Sequence, residues 1–183
     1  MKRSRKKFIG FFGGSFDPPH KGHLKVCSQS IKTLKLNKLF WVVTEKNPFK
    51  KKHFFSINAR IKKSKEITKN KKKIEVQFLE KKVNSKRTID QIKYLIRKNK
   101  ESKFFLIVGS DNLINFHKWK KWKELIKLSN LVVFPRKGFD KKSKKSAIVR
   151  HLKKEKIIFI KTEKIDISST DVRKKILNLK KCK

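Results

Sequence analysis

An apolar run, Phe8-Ile9-Gly10-Phe11-Phe12, breaks into Gly13-Gly14 and a polar loop, Ser15-Phe16-Asp17-Pro18-Pro19-His20-Lys21-Gly22-His23. The loop opens onto Leu24, Cys27, Ile31 and Leu34, which recur at helical spacing. The run is short enough to be a buried strand. The stretch therefore reads as strand, tight glycine turn, polar loop and helix, with the helix extending to about Leu36 and Asn37 as its stop. That arrangement aims backbone N–H groups and the positive end of a helix at one point, which favours an anion. His20 and His23, three apart at the helix mouth, can face the same point. The stretch contains neither the Gly-x-x-x-x-Gly-Lys-Ser/Thr of a P-loop nor the Gly-x-Gly-x-x-Gly of a dinucleotide fingerprint.

The rest of the chain alternates. Leu39-Phe40-Trp41-Val42-Val43 reads as a second buried strand, parallel to the first through a right-handed crossover. Thr44 to Lys50 then lies at that strand's carboxyl end, where open α/β sheets bind ligands. Ser56 is placed to cap a helix carrying Ile57, Ile61 and Ile67. Residues 74–78 alternate like a half-exposed strand, and a helix starting at Asn84 or Thr88 presents Ile89, Ile92, Leu95 and Ile96. Phe104-Phe105-Leu106-Ile107-Val108 is the expected central strand, ending at Gly109-Ser110-Asp111-Asn112. Further strands are expected at 131–134 and 157–160, and a final helix after Ile167-Ser168-Ser169-Thr170. The lysine- and serine-rich stretch 140–146 reads as a solvated loop. Strands alternating with helices predict one doubly wound α/β sheet over residues 8–183, with the basic segment 1–7 as a disordered arm.

The 183 residues suffice for one hydrophobic core. Lys and Arg number 54 against 14 Asp and Glu, a net charge of +40. Such a charge suggests nucleic acid or a membrane surface. However, the excess is nearly all lysine and is spread along the chain, with Ile, Phe and Asn also plentiful, the signature of an A+T-rich coding sequence. Nucleic-acid readers favour arginine. No specific nucleic-acid partner and no membrane is expected, and the charge should steer anionic substrates inward. Two cysteines, Cys27 on an apolar helix face and Cys182 in a basic tail, give neither a disulfide framework nor metal-ligand spacing. They suit a reducing cytoplasm.

Gly-Gly-Ser-Phe-Asp-Pro-Pro-His-Lys-Gly-His, with its H-x-G-H element at His20 to His23, resembles the signature of the nucleotidyltransferase superfamily. Three more stretches are similar to the bacterial nicotinate-nucleotide adenylyltransferases: Trp41 to Lys50, Ile107 to Trp122 and Ile167 to Arg173. The resemblance implies a Rossmann-like domain of the adenylyltransferase type with a mainly parallel sheet. It implies transfer of AMP from ATP to nicotinate mononucleotide, with Mg²⁺ bridging the ATP phosphates and no protein metal site. On that resemblance His20, His23 and Arg173 would be catalytic. Gly13, Gly14, Ser15, Phe16, Gly109 and Asp111 would lie against ATP, with Asp111 accepting from a ribose hydroxyl. Ser169, Thr170 and Arg173 would hold the outer phosphates. Thr44, Asn47, Lys50, Thr88 and Trp119 would bind nicotinate mononucleotide, Trp119 by stacking on the pyridine ring. Two departures stand out: Arg87 and Gln91 replace a tyrosine and a second threonine usual around Thr88, and Pro135-Arg136-Lys137-Gly138 replaces an Arg-Pro-Gly turn. The competing readings are another adenylyltransferase, such as the phosphopantetheine enzyme, or a basic nucleic-acid-binding protein on the same scaffold.

Overall fold

The computed structural model describes residues 6–45, 53–152, 157–162 and 167–181. Six strands form one sheet: β1 (Lys7–Gly14), β2 (Lys38–Val43), β3 (Ile74–Gln77), β4 (Ser102–Gly109), β5 (Asn130–Phe134) and β6 (Ile157–Phe159). Their order is β3-β2-β1-β4-β5-β6, and every pair is parallel. The sheet is thus doubly wound, and its order reverses between β1 and β4. Lys7, assigned to the arm from sequence, opens β1; residues 1–5 lie outside the described residues.

The central strands are apolar runs because both faces of the sheet are covered there, whereas the edge strand β3 alternates, as expected. Ile9, Phe11, Phe40, Val42, Leu106 and Val108 point into one core layer, with Ile89, Ile92 and Leu95 of α4 (Thr88–Lys98). Phe12, Leu39, Trp41, Val43, Phe105 and Ile107 point into the other, with Cys27 of α1 (Lys21–Thr33). Between these helices run α2 (Ile57–Thr68), which Ser56 caps by accepting from Ala59 N–H at 3.3 Å, and the short α3 (Glu80–Val83).

Helix α1 ends at Thr33, short of the Leu36 expected from its spacing. Lys35 takes a left-handed φ of 50° and turns the chain, so Leu36 drops wholly into the core. Its Cδ1 would lie 2.8 Å from a Cβ at position 10, a space left only by glycine in β1. Beyond β4 come α5 (Ser110–Ile114), a 3-10 turn at Phe116–Lys118, α6 (Trp122–Leu128), α7 (Asp140–Lys144), α8 (Ala147–His151) and α9 (Ser169–Lys181). The α7 helix corrects the expectation of a loop at 140–146. Asp140 Oδ1 accepts from Arg136 N–H at 2.8 Å and from the Ser110 hydroxyl at 2.9 Å, which anchors a helix that its apolar content could not. Ser143 within α7 and Ser146 just after it are buried.

Candidate active site

Two chambers open where β1 and β4 end side by side, at the reversal of strand order. They share the backbone of Gly13-Gly14 and Gly109 as a common wall.

The first chamber, about 190 Å³, is lined by Gly13, Gly14, Ser15, Phe16, His20 and His23 from the amino-terminal stretch. Gly109, Asp111, Arg136 and Ser169 complete it. His20 is the N-cap of α1, and its backbone N–H donates to His23 Nδ1 at 3.3 Å. The two imidazoles stack with centroids 3.7 Å apart. Phe16 supports them: it adopts a left-handed φ of 44°, rare for a bulky residue, and its ring meets His23 at 4.9 Å and Trp41 at 4.5 Å. His20 is buried, and among the described residues neither of its ring nitrogens has a hydrogen-bond partner. Burial, and secondarily the Arg136 guanidinium, lowers its pKa to about 4, against the opposing pull of Asp171. At neutral pH His20 is an uncharged imidazole with one N–H to give.

Asp111 is held from one side only. Its Oδ2 accepts from Arg136 Nη1 at 2.7 Å, while Oδ1 is buried without a partner among the described residues. Gly109 makes room for it: a Cβ there would stand 2.3 Å from Oδ1. Asp111 lies inside α5, whose N-cap is Gly109, so it is not a helix cap.

Helix α9 closes the first chamber. Ser169 Oγ donates to the Pro18 carbonyl at 3.1 Å, and Arg173 Nη1 donates to the Asp17 carbonyl at 2.7 Å. Arg173 Nη2 donates to Thr170 Oγ1 at 2.9 Å. Of these three only Ser169 is among the residues lining the chamber; Thr170 and Arg173 flank it. Asp17 is itself fixed, its carboxylate accepting from the N–H groups of Phe54 and Phe55 at 2.7 and 2.9 Å.

The second chamber, about 440 Å³, is lined by Thr44, Thr88, Gln91 and Trp119 over the apolar Phe11 and Leu106. Trp119 packs on Phe116 with centroids 5.0 Å apart and leaves part of its surface to the chamber. Asn47 and Lys50 lie outside the described residues.

Gln91, noted from sequence as a departure beside Thr88, lines the second chamber. Two residues here escaped the sequence reading as site residues. Arg136 braces Asp111. Arg60, on α2, is buried, and its guanidinium donates to four carbonyls: Phe55 at 3.1 Å, Ser15 at 2.8 Å, Thr44 at 2.7 Å and Glu45 at 2.9 Å. It ties the first loop to the end of β2. In a chain that uses lysine nearly everywhere, an arginine is itself a signal: only its planar fork meets several acceptors at once.

The arrangement can therefore hold an extended ligand across two strand ends. One end meets the two stacked imidazoles, a helix N-terminus and a half-satisfied carboxylate; the other meets an aromatic face and an amide. Among the described residues no three His, Cys, Asp or Glu side chains are grouped to hold a metal ion, and no helix is long and apolar enough to cross a membrane.

The chain matches the cytidylyltransferase-like family over residues 11–175. A probable nicotinate-nucleotide adenylyltransferase of Pelagibacter ubique (strain HTCC1062) is 46% identical over 170 residues, covering 93% of this chain and 94% of that protein. One from Clostridium novyi (strain NT) is 36% identical over 174 residues, covering 92% and 86%. Among solved structures, the Plasmodium falciparum nicotinic acid mononucleotide adenylyltransferase complexed with NaAD superposes with a TM-score of 0.73. That match covers 92% of this chain and 83% of the other at 24% identity, a likeness of fold.

Proposed function

Since the chain belongs to the cytidylyltransferase-like family and, within it, to the nicotinate-nucleotide adenylyltransferases, we propose that its first chamber takes ATP and its second the pyridine nucleotide. The enzyme transfers the AMP moiety of ATP to nicotinate mononucleotide, giving nicotinate adenine dinucleotide and pyrophosphate, a step of NAD biosynthesis. The observation that carries the assignment of chambers is their common wall at Gly13-Gly14 and Gly109, which brings two ligands end to end.

The chemistry asks for position and charge neutralisation rather than a protein nucleophile. A phosphate oxygen of the mononucleotide attacks the α-phosphorus of ATP in line, and the α–β bridging bond breaks to release pyrophosphate. His20 and His23, at the mouth of α1, would donate to the phosphate oxygens on which charge builds. The unpartnered nitrogens of His20 support this role. Asp111 Oδ1, likewise without a partner among the described residues, would accept from a ribose hydroxyl. Ser169 and Thr170, at the start of α9, and Arg173 would hold the outer phosphates, the arginine by exchanging its Asp17 carbonyl for phosphate oxygen. Gly14, Ser15 and Phe16 would shape the wall against the nucleotide. Thr44 and Thr88 would line the pyridine end and Trp119 would stack on the ring; Asn47 and Lys50 are proposed for the same ligand from sequence.

The donor set fits a metal carried by the triphosphate, since among the described residues no carboxylate cluster stands ready to hold one. When bound, Mg²⁺ supplies charge neutralisation at the phosphates. The protein is proposed to act in the cytoplasm. The direct test is pyrophosphate release from ATP and Mg²⁺ with nicotinate mononucleotide or phosphopantetheine as acceptor. Release with the first and not the second is expected; the reverse would overturn the reading.

A further inference from the structure

Gln91 is only 1% exposed, it lines the second chamber, and neither its Nε2 nor its Oε1 has a partner among the described residues. Burying an amide in this state forfeits the water that both atoms would otherwise bind. Such a group points to a ligand that supplies the missing partners. The requirement is specific: one acceptor for the N–H groups and one donor for the carbonyl oxygen.

A carboxylate meets only half of it. It accepts from Nε2 but leaves Oε1 facing another oxygen. A primary carboxamide meets both, since two amides pair edge to edge, N–H to carbonyl in each direction. A carboxylate has other support: Lys86, Arg87, Lys118 and Lys120 border the chamber, and no Asp or Glu is among the residues that line it. These four cations are exposed, so water screens them and they do not exclude a neutral group.

We propose that Gln91 reads the substituent of the pyridine ring, and that the enzyme adenylylates nicotinamide mononucleotide as well as the nicotinate nucleotide. The inference rests on the second chamber being the pyridine site. The step balances as for the acid: a phosphate oxygen of the mononucleotide bonds to the α-phosphorus of ATP, and pyrophosphate leaves with the electrons of the broken bridging bond. Gln91 acts on binding, not on the reacting atoms, so it is a specificity-determining residue.

The test is kcat/KM for both mononucleotides, in the wild type and in Gln91→Leu, which keeps the bulk and removes both polar atoms. In the wild type the two substrates should lie within about 100-fold of each other. A site committed to one polar partner discriminates by ~10⁴-fold or more. In Gln91→Leu the nicotinamide nucleotide should lose a further ~10-fold relative to the nicotinate nucleotide, because a buried partner has gone. Any loss of folded enzyme cancels in this ratio. Wild-type discrimination beyond about 100-fold, or an unchanged ratio in Gln91→Leu, would overturn the proposal. Absence of turnover with either nucleotide would instead overturn the reading of the site on which it rests.

Discussion

His20 is neutral at physiological pH because its ring is buried and Arg136 stands nearby. Between pH 6.5 and about 4 the unfolded chain therefore binds a proton at this position that the folded chain does not. Stability contributed by neutral His20 is complete above that window and is lost as the pH falls through it. Urea midpoints measured across the window should decline with acidification, and less steeply in His20→Gln. A triphosphate brought to the ring reverses the field around it and raises its proton affinity. ATP binding near pH 5 should then take up a fraction of a proton, seen in calorimetry as a dependence of heat on the buffer's ionisation enthalpy. His20→Ala and His23→Ala should each lower kcat by ~10²–10³-fold, the cost of removing one preorganised donor. Their circular dichroism spectra should match the wild type, and substantial turnover in either would sink the assigned roles. At Gly109 an alanine would push Asp111 Oδ1 from a position 2.3 Å away, so Gly109→Ala should raise the KM for ATP by ~10-fold.

The central strands could be read from the sequence because both faces of the sheet are covered there, which leaves them as apolar runs, and β3 by its alternation at the edge. The glycine turn, the paired histidines and the motif opening α9 were legible for a related reason: each is a local constellation. What escaped was non-local. The α7 helix depends on Asp140 meeting Ser110, thirty residues earlier, and no periodicity records that. Arg60 looked like one more cation on α2, yet its guanidinium joins the carbonyls of Ser15, Thr44, Phe55 and Glu45. Lysine has the charge but not the fork. Arg60→Lys should cost about 2–4 kcal/mol of stability, from hydrogen bonds lost by buried acceptors. Urea denaturation would measure it, and a cost below about 0.5 kcal/mol would mean that these contacts are incidental.

Over the whole molecule the charge of +40 is too diffuse to mark a nucleic-acid interface, but it surrounds a site that takes anions. Association with ATP should be fast at low salt and slow several-fold between about 50 and 500 mM, as the screening length shrinks from roughly 14 to 4 Å. Stopped-flow binding would show this as a change in the on-rate, with the off-rate nearly constant. The contact between Arg173 and the Asp17 carbonyl joins residues 156 positions apart, and Ser169 reaches Pro18 across a similar span. The amino-terminal loop leaves the ribosome about 150 residues before its closing helix. A nascent chain can thus build the sheet through β5 and still lack the contacts that hold α9 against this loop, so the first chamber is closed only when synthesis has passed Arg173 and that segment has cleared the exit tunnel.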